Sequence, residues 1–442
     1  MLGKLFYRGL VAIYPILMTI LFFGFLMNIG FLLDTSHTWI LLAAYCFCLY
    51  VFFIVYYGNK IGVYRITEIL YSNALSLLIT DVIFGLFLIV LFRSVSWGWR
   101  FLVLFLLQLV CSAAWTVICN TLQIKIYGRH RILLISSDAK SADILRKKLD
   151  NRKNRFFIKE IIYEDSGVEN ILERCNEYGT IMIDDLDPNL RNTITKYCFE
   201  NSKVMFMVPK VAEIIRNGAQ PLHIIDTPLY VTKKYALTIE QAIIKRTIDL
   251  VLTGIATIIA SPFMLVTALA IKLYDGGPAL YKQKRLTKDG KEFYVYKFRS
   301  MIVDAEKNSG ARLSSGENDD RITRVGKIIR AIRFDELPQL LNILKGDMSI
   351  VGPRPERPEI AEQYDEELPE FKYRLKVKAG LTGYAQVFGK YNTTPKDKLK
   401  LDLMYINNYS LYLDLKVIFY TVKILFMKES TEGIEEGKKT AA

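Results

Sequence analysis

Apolar residues in this chain are bunched rather than spread. Four long apolar runs open it, at residues 10–33, 39–57, 75–92 and 101–120. Each is close to the about 20 residues an α-helix needs to cross a hydrocarbon core. The pattern predicts a four-helix transmembrane bundle over residues 1–124. The first run is too long for a signal peptide and lacks a small-residue cleavage site. Lys4 and Arg8 precede it, Lys60 and Arg65 follow the second run, and Lys125, Arg129 and Arg131 follow the fourth; residues 34–38 carry no Lys or Arg. Retention of positive charge inside puts both ends of the bundle in the cytoplasm. Arg93 and Arg100 dissent, but an even number of spans agrees with the majority. Asp81 is read as an interfacial carboxylate near the end of its helix, with a functional intramembrane acid as the alternative.

Residues 125–237 change rhythm. Strand-like segments at 132–136, 156–163, 180–183 and 204–208 alternate with helix-like ones at 141–150, 168–178 and 188–201. That alternation predicts a Rossmann-like parallel α/β domain. Its first turn is Ile135-Ser136-Ser137-Asp138-Ala139-Lys140, without the glycine that lets a phosphate approach the backbone. A scaffolding or regulatory role is expected there rather than cofactor binding.

A third region, residues 238–432, precedes a polar tail at 433–442. It contains the uncharged run 250–271, broken at Ser261-Pro262. Proline removes a backbone donor and bends a helix, and Ser261 is suited to satisfy a freed backbone group. Roughly ten residues on each side reach about 15 Å, half the hydrocarbon core. The reading is a re-entrant helical hairpin in the cytoplasmic leaflet, with a kinked full span as the alternative. Residues 411–427 read as an interfacial helix.

Composition agrees with a membrane protein: 51% of residues are apolar. The net charge of +13 suits either nucleic acid or an anionic membrane with phosphorylated ligands. The company of apolar runs favours the second and argues against nucleic acid. Six cysteines without Cys-x-x-Cys spacing support neither zinc nor a disulfide framework. The histidines, His37, His130 and His223, stand apart from other ligand types.

The chemistry concentrates late in the chain. Asp289-Gly290 marks a hairpin turn. Beyond it, Tyr296-Lys297-Phe298-Arg299 alternates aromatics with two cations aimed at a diphosphate. Arg321, Arg324, Lys327, Arg330 and Arg333 recur every third residue, with Ile322, Val325, Ile329 and Ile332 as an apolar stripe. This amphipathic helix suits a membrane surface or a protein core. Arg330 and Arg333 bring it to Asp335-Glu336. That pair is read as a helix start, or as a nucleophile and a magnesium-holding dyad. Gly352-Pro353-Arg354-Pro355 stiffens the backbone around a guanidinium that can grip phosphate. The loop 379–386 is either a nucleotide contact or plain turn geometry.

Ser261-Pro262, Tyr296-Lys297-Phe298-Arg299, Asp335-Glu336-Leu337-Pro338-Gln339, Lys345-Gly346-Asp347-Met348, Gly352-Pro353-Arg354-Pro355 and Gly380-Leu381-Thr382-Gly383 occur in that order. Together they resemble the bacterial sugar transferases, the monotopic phosphoglycosyl transferases, and the N-terminal regions resemble their large membrane subgroup. The resemblance implies a mixed α/β monotopic catalytic domain. It implies transfer of hexose-1-phosphate from a UDP-hexose to undecaprenyl phosphate with release of UMP, as the first membrane step of exopolysaccharide or capsule synthesis. It also implies Asp335 as nucleophile, Glu336 beside it with Mg2+, and Lys297, Arg330 and Arg354 as phosphate-binding cations. Arg299 and Arg333 join that set from the local pattern. The enzyme would sit in the bacterial inner membrane with its catalytic domain on the cytoplasmic face, among membrane lipids. The sequence leaves open the hexose, with glucose and galactose as candidates by resemblance, and the oligomeric state, a homodimer included. The competing readings are a non-catalytic scaffold of polysaccharide assembly and a nucleotide-dependent oxidoreductase, the latter disfavoured by the missing glycine turn.

Overall fold

The apolar runs fold as helices, led by one short amphipathic helix, and the longer ones show little apolar preference for one side. They are α1 (Leu2–Ala12), α2 (Tyr14–Asn28), α3 (Thr35–Val55), α4 (Ile66–Phe92) and α5 (Gly98–Tyr127). The computed structural model describes residues 2–30, 35–93, 95–128, 130–150, 156–232, 236–302, 321–389 and 393–425. The end of the first run, Arg129 and the tail at 433–442 lie outside the described residues. The chain divides into two compact units, Met1–Pro209 and Lys210–Ala442.

In the first unit, the opening run is two helices rather than one. Pro15 sits in the first turn of α2, where its missing N–H leaves nothing unpaired. α4 begins at Ile66, well before the run at residue 75 that announces it. Polar Ser72 and Ser76 fit inside the helix because their hydroxyls donate to the carbonyls of Glu68 and Ser72 one turn back. This corrects the reading of Asp81. It lies in the middle of α4 and is only 2% exposed, enclosed by the bundle.

The rest of this unit holds β1 (His130–Ser136), α6 (Ala139–Asp150), β2 (Phe156–Tyr163), α7 (Val168–Asn176), β3 (Thr180–Ile183), α8 (Pro188–Glu200) and β4 (Val204–Met207). The strands pair in parallel in the order β2-β1-β3-β4. Leu133, Ile135, Ile181 and Ile183 feed one core, and Ile132, Leu134 and Met182 the other. Both faces of the sheet are therefore covered, as parallel sheets require. At the end of β1, Ser136 donates to Asp184 Oδ2 and Asp138 accepts from the Ser141 amide. Protein groups occupy that first turn.

The second unit opens with α9 (Val211–Asn217) and the antiparallel pair β5 (Gln220–Ile224) and β6 (Thr227–Val231). Next comes α10 (Ile239–Asp275), capped by Thr238 with Gln241 and ended by Gly276 at φ 72°. The helix hydrogen-bonding pattern runs through Pro262. The Ile258 carbonyl, which loses its partner because Pro262 has no N–H, accepts the Ser261 hydroxyl at 2.8 Å. Residues on both sides of the proline pack on the same unit. Ala256 and Ala260 meet Phe293 and Ile343, while Met264, Ala268 and Ile271 meet Phe298 and Ile329.

The hairpin β7 (Leu280–Leu286) and β8 (Glu292–Phe298) follows, turning at Asp289 and Gly290 with φ 60° and 74°. Then come α11 (Arg324–Ala331), α12 (Gln339–Lys345), β9 (Ser349–Val351), α13 (Pro358–Glu367), β10 (Gly380–Thr382), α14 (Tyr384–Phe388), α15 (Pro395–Asn407) and α16 (Leu411–Leu425). The stripe read at Ile322, Val325, Ile329 and Ile332 is divided: Ile322, Val325 and Ile329 turn inward, whereas Ile332 is exposed. α16 buries Val417 and Tyr420. Among the described residues, five helical stretches are long and apolar enough to cross a membrane: Phe6–Asn28, His37–Val55, Ile66–Leu91, Gly98–Ile126 and Ile239–Asp275.

Candidate active site

Asp335 and Glu336 lie on a 3-10 turn, Phe334–Glu336, between α11 and α12. Neither caps a helix; the residue before α12 is Pro338. Arg333 adopts a left-handed backbone, φ 56°, which reverses the chain into this turn. That conformation costs a non-glycine residue about 1–3 kcal/mol and recurs at functional sites.

The two acids have different surroundings. Glu336 Oε1 is 3.3 Å from Arg354 Nη2 and 3.5 Å from Lys297 Nζ, and Oε2 is 4.0 Å from Arg333 Nη1. Burial would raise this carboxyl, but Lys297, Arg354 and Arg333 outweigh it and hold it at about 2. Asp335 makes no hydrogen bond or ion pair among the described residues. Burial and the Glu336 charge push its carboxyl above the ordinary 3.8, against Lys297, Arg330 and Arg354. Arg330 Nη1 is buried beside it without a hydrogen-bond partner. The turn thus presents one neutralised carboxylate, one unengaged carboxylate and a guanidinium with a spare donor. A shallow cleft opens beside Arg354, with Pro353, Pro355, Phe371 and Lys372 in its lining.

Residues 240–428 match the family described as bacterial sugar transferase. A protein of Rhizobium leguminosarum bv. phaseoli named exopolysaccharide production protein PSS is 41% identical over 199 residues, 43% of this chain and 97% of that protein. The chain belongs to the bacterial sugar transferase family. A UDP-glucose:undecaprenyl-phosphate glucose-1-phosphate transferase of Caulobacter vibrioides is 41% identical over 42% of this chain and 71% of its own length. A UDP-N-acetylgalactosamine-undecaprenyl-phosphate N-acetylgalactosaminephosphotransferase of Aeromonas hydrophila is 44% identical over 42% of this chain. The matched stretch spans 44% of that last relative's length.

In this bacterial sugar transferase, Lys297, Arg330, Arg333 and Arg354 gather around the acid pair, but Arg299 does not. It follows the end of β8 and pairs with Asp275 at the end of α10, packed against Gly277. Strand alternation no longer aims a side chain once the strand has ended. Arg299 ties the long helix to the sheet rather than facing the carboxylates.

Several supports were not visible as motifs. Asn342, fully buried, accepts from the Tyr296 amide at 2.9 Å and donates to the Tyr294 carbonyl at 2.7 Å, fixing α12 against the strand that carries Lys297. Arg374 donates to the Arg354 carbonyl at 3.0 Å and to Asp402 at 2.6 Å. Glu356 joins it, 2.5 Å from Lys398. Arg246 donates to the Ile343 and Leu344 carbonyls, and Asp249 accepts from Ser349 and the Ile350 amide. These bonds fasten the start of α10 to the platform. Their only sequence signal is a charged residue inside an otherwise apolar or turn-rich stretch.

The loop 379–386 resolves into support. The Gly380 amide donates to the Pro353 carbonyl, and the Gly352 amide to the Thr382 carbonyl. A Cβ on Gly380 would stand 2.1 Å from the Gly352 nitrogen, so the two loops touch backbone to backbone. Among the described residues no group of three acidic, His or Cys side chains could hold a metal. Glu336 is already ringed by cations, so of the pair only Asp335 would offer an open carboxylate to a Mg2+ arriving with substrate phosphates and water.

Proposed function

We propose that this chain transfers a hexose-1-phosphate from a UDP-hexose to undecaprenyl phosphate by way of a phosphosugar on Asp335. The observation that carries the reading is the unengaged Asp335 carboxylate beside a partner already neutralised by three cations. An Asp335 oxygen attacks the sugar-linked phosphorus, the bond to the UMP oxygen breaks, and UMP leaves with that electron pair. A phosphate oxygen of the lipid then attacks the same phosphorus. The diphosphate product departs and Asp335 regains its charge. Arg354 and Lys297, positioned by Glu336, and the spare Arg330 donor bind the equatorial oxygens where negative charge accumulates. Magnesium, when bound, supplies further positive charge to the diphosphate, held by Asp335 and the substrate's own oxygens.

The N-terminal helices form a four-span bundle in this reading, the parallel sheet is a Rossmann-like domain without a nucleotide, and the reaction is the first membrane step of exopolysaccharide or capsule synthesis. Residues 238–432 form the catalytic domain at the cytoplasmic face of the inner membrane. α10 dips into the near leaflet and returns at Ser261-Pro262. In support, both of its halves pack on one unit while Ile258, Ile259, Leu265 and Val266 are exposed apolar side chains. The test is UMP release from a panel of UDP-sugars by the full-length protein in membranes with undecaprenyl phosphate. Release by the native protein and loss in Asp335→Asn are expected. Wild-type turnover by that variant would rule out the covalent route.

A further inference from the structure

A hydrogen-bonded chain crosses the inside of the N-terminal bundle. Tyr45 of α3 donates to Asp81 Oδ1 of α4 at 2.6 Å. The amide of Gln108 on α5 donates to the Tyr45 hydroxyl at 2.9 Å and to the Met18 carbonyl of α2 at 3.3 Å. One hydrogen-bonded chain ending at this carboxylate therefore links four helices. Tyr45 and Gln108 are fully buried. Two oxygens of the cluster, Asp81 Oδ2 and Gln108 Oε1, have no partner. Both are acceptors, so what is missing is a donor. The titratable groups facing Asp81 are Tyr14 on α2 and Tyr45 on α3; α5 offers Gln108 and Ser112. No Lys, Arg or His is among the buried described residues of the bundle.

The surroundings are lopsided. On one side of Asp81 runs a seam of buried polar residues: Thr80, Ser76 and Asn73 on α4, and Ser112, Thr116 and Asn120 on α5. Tyr14 bonds Ser112 and Asn73 bonds Thr116, each at 3.0 Å. The seam ends where Asn73 meets Gly58 and Gln123 meets Gly62, at the connection bearing Lys60 and Arg65. On the other side it is stopped by rings. Phe22 stacks on Tyr45 at 4.1 Å and Phe84 meets it edge-on at 5.1 Å. Phe25, Trp97 and Phe101 pack mutually beyond them.

A buried carboxylate with one oxygen left without a donor is costly, and the least costly remedy is a proton. We propose that Asp81 is a proton-binding site of the bundle, filled from the Lys60–Arg65 end of the seam and sealed at the other by the aromatic cluster. The proton comes from water at the seam mouth and binds Oδ2. The carboxylate becomes a neutral acid, and one orphan acceptor becomes a donor. With one mouth, this is a proton well and not a channel.

The test is carbodiimide labelling of the full-length protein in lipid nanodiscs, read by peptide mass. Dicyclohexylcarbodiimide, which seeks protonated carboxyls in apolar surroundings, should form an adduct at Asp81 that fades as pH rises. Asp81→Asn should lose that adduct while keeping its elution profile. A water-soluble carbodiimide should label Asp81 several-fold more slowly in Asn73→Leu/Thr116→Val, with the lipid-soluble reagent unaffected. Absence of an Asp81 adduct at acid pH, or labelling independent of pH, would overturn the proposal. So would protection by sodium but not by choline, which would mark a cation site instead. An unchanged water-soluble rate in the double variant would overturn the single mouth.

Discussion

The Arg354 guanidinium lies 3.3 Å from Glu336 Oε1. This contact separates two adjacent carboxylates into different roles. Glu336 is spent on holding cations in place, and Asp335 is left without an ion pair among the described residues. Arg354 is itself held through its carbonyl by Arg374, so the dyad depends on a buried network more than a turn of chain away.

Replacing Arg354 by lysine keeps the charge and loses the planar fork. We expect kcat/KM for the UDP-sugar to fall by roughly 10- to 100-fold, a loss of about 1.4–2.7 kcal/mol of transition-state binding. Steady-state UMP release measures it, and native kinetics in Arg354→Lys would remove the guanidinium from the site.

In the proposed mechanism Asp335 attacks as the ionised carboxylate. Its carboxyl is raised above 3.8 by burial and by Glu336, so activity should fall as pH drops through that raised value. Glu336, held at about 2, stays charged over the same range. Glu336→Gln removes the negative neighbour and leaves the cations. The residual activity of that variant should therefore show its acid limb at lower pH than the native enzyme. A limb displaced upward would contradict the assignment.

Gly380→Ala forces a Cβ to within 2.1 Å of the Gly352 nitrogen and 2.4 Å of the Thr382 carbonyl oxygen. Neither backbone atom can step aside. A destabilisation of about 1–3 kcal/mol is expected, seen as a lowered Tm, together with lost turnover because the Arg354 loop is displaced. An unaltered Tm would mean the loops do not pack this closely.

Glu356 is an acid whose partners stabilise the fold. Burial opposes its charge, but Lys398, Arg374 and Arg285 prevail and hold it at about 2 against an ordinary 4.5. Its stabilisation is complete above the ordinary value and is lost as pH falls from there toward about 2. The linkage is on the order of a few kcal/mol. Thermal melts across this acid range should show a steep loss in the native protein and a shallower one in Glu356→Gln. Equal slopes would exclude the linkage.

Much of the architecture was legible locally. The strands of the middle domain announce themselves as short apolar runs between turn residues, although their parallel pairing joins residues more than 20 positions apart. Ser261 was readable too, since a hydroxyl next to proline has a free carbonyl within reach. Asp81 was misread because hydropathy averages dismiss Ser72 and Ser76, although one-turn hydroxyl bonds carry them inside a helix at little cost. Arg299 was misread because alternation along β8 was extended past the strand's last residue.

The sequence by itself determined which segments are apolar enough for lipid, where a proline frees a backbone carbonyl, and which residue types stand beside Asp335. Those properties depend on backbone chemistry and on neighbours within a few positions. Only the tertiary structure decided that Glu336 takes the cations and Asp335 does not, that the Gly380 loop props the Arg354 loop, and that Asp81 is enclosed. Each of these rests on contacts between residues far apart in the chain, where a difference of an ångström in packing decides whether a charge is paired or left alone.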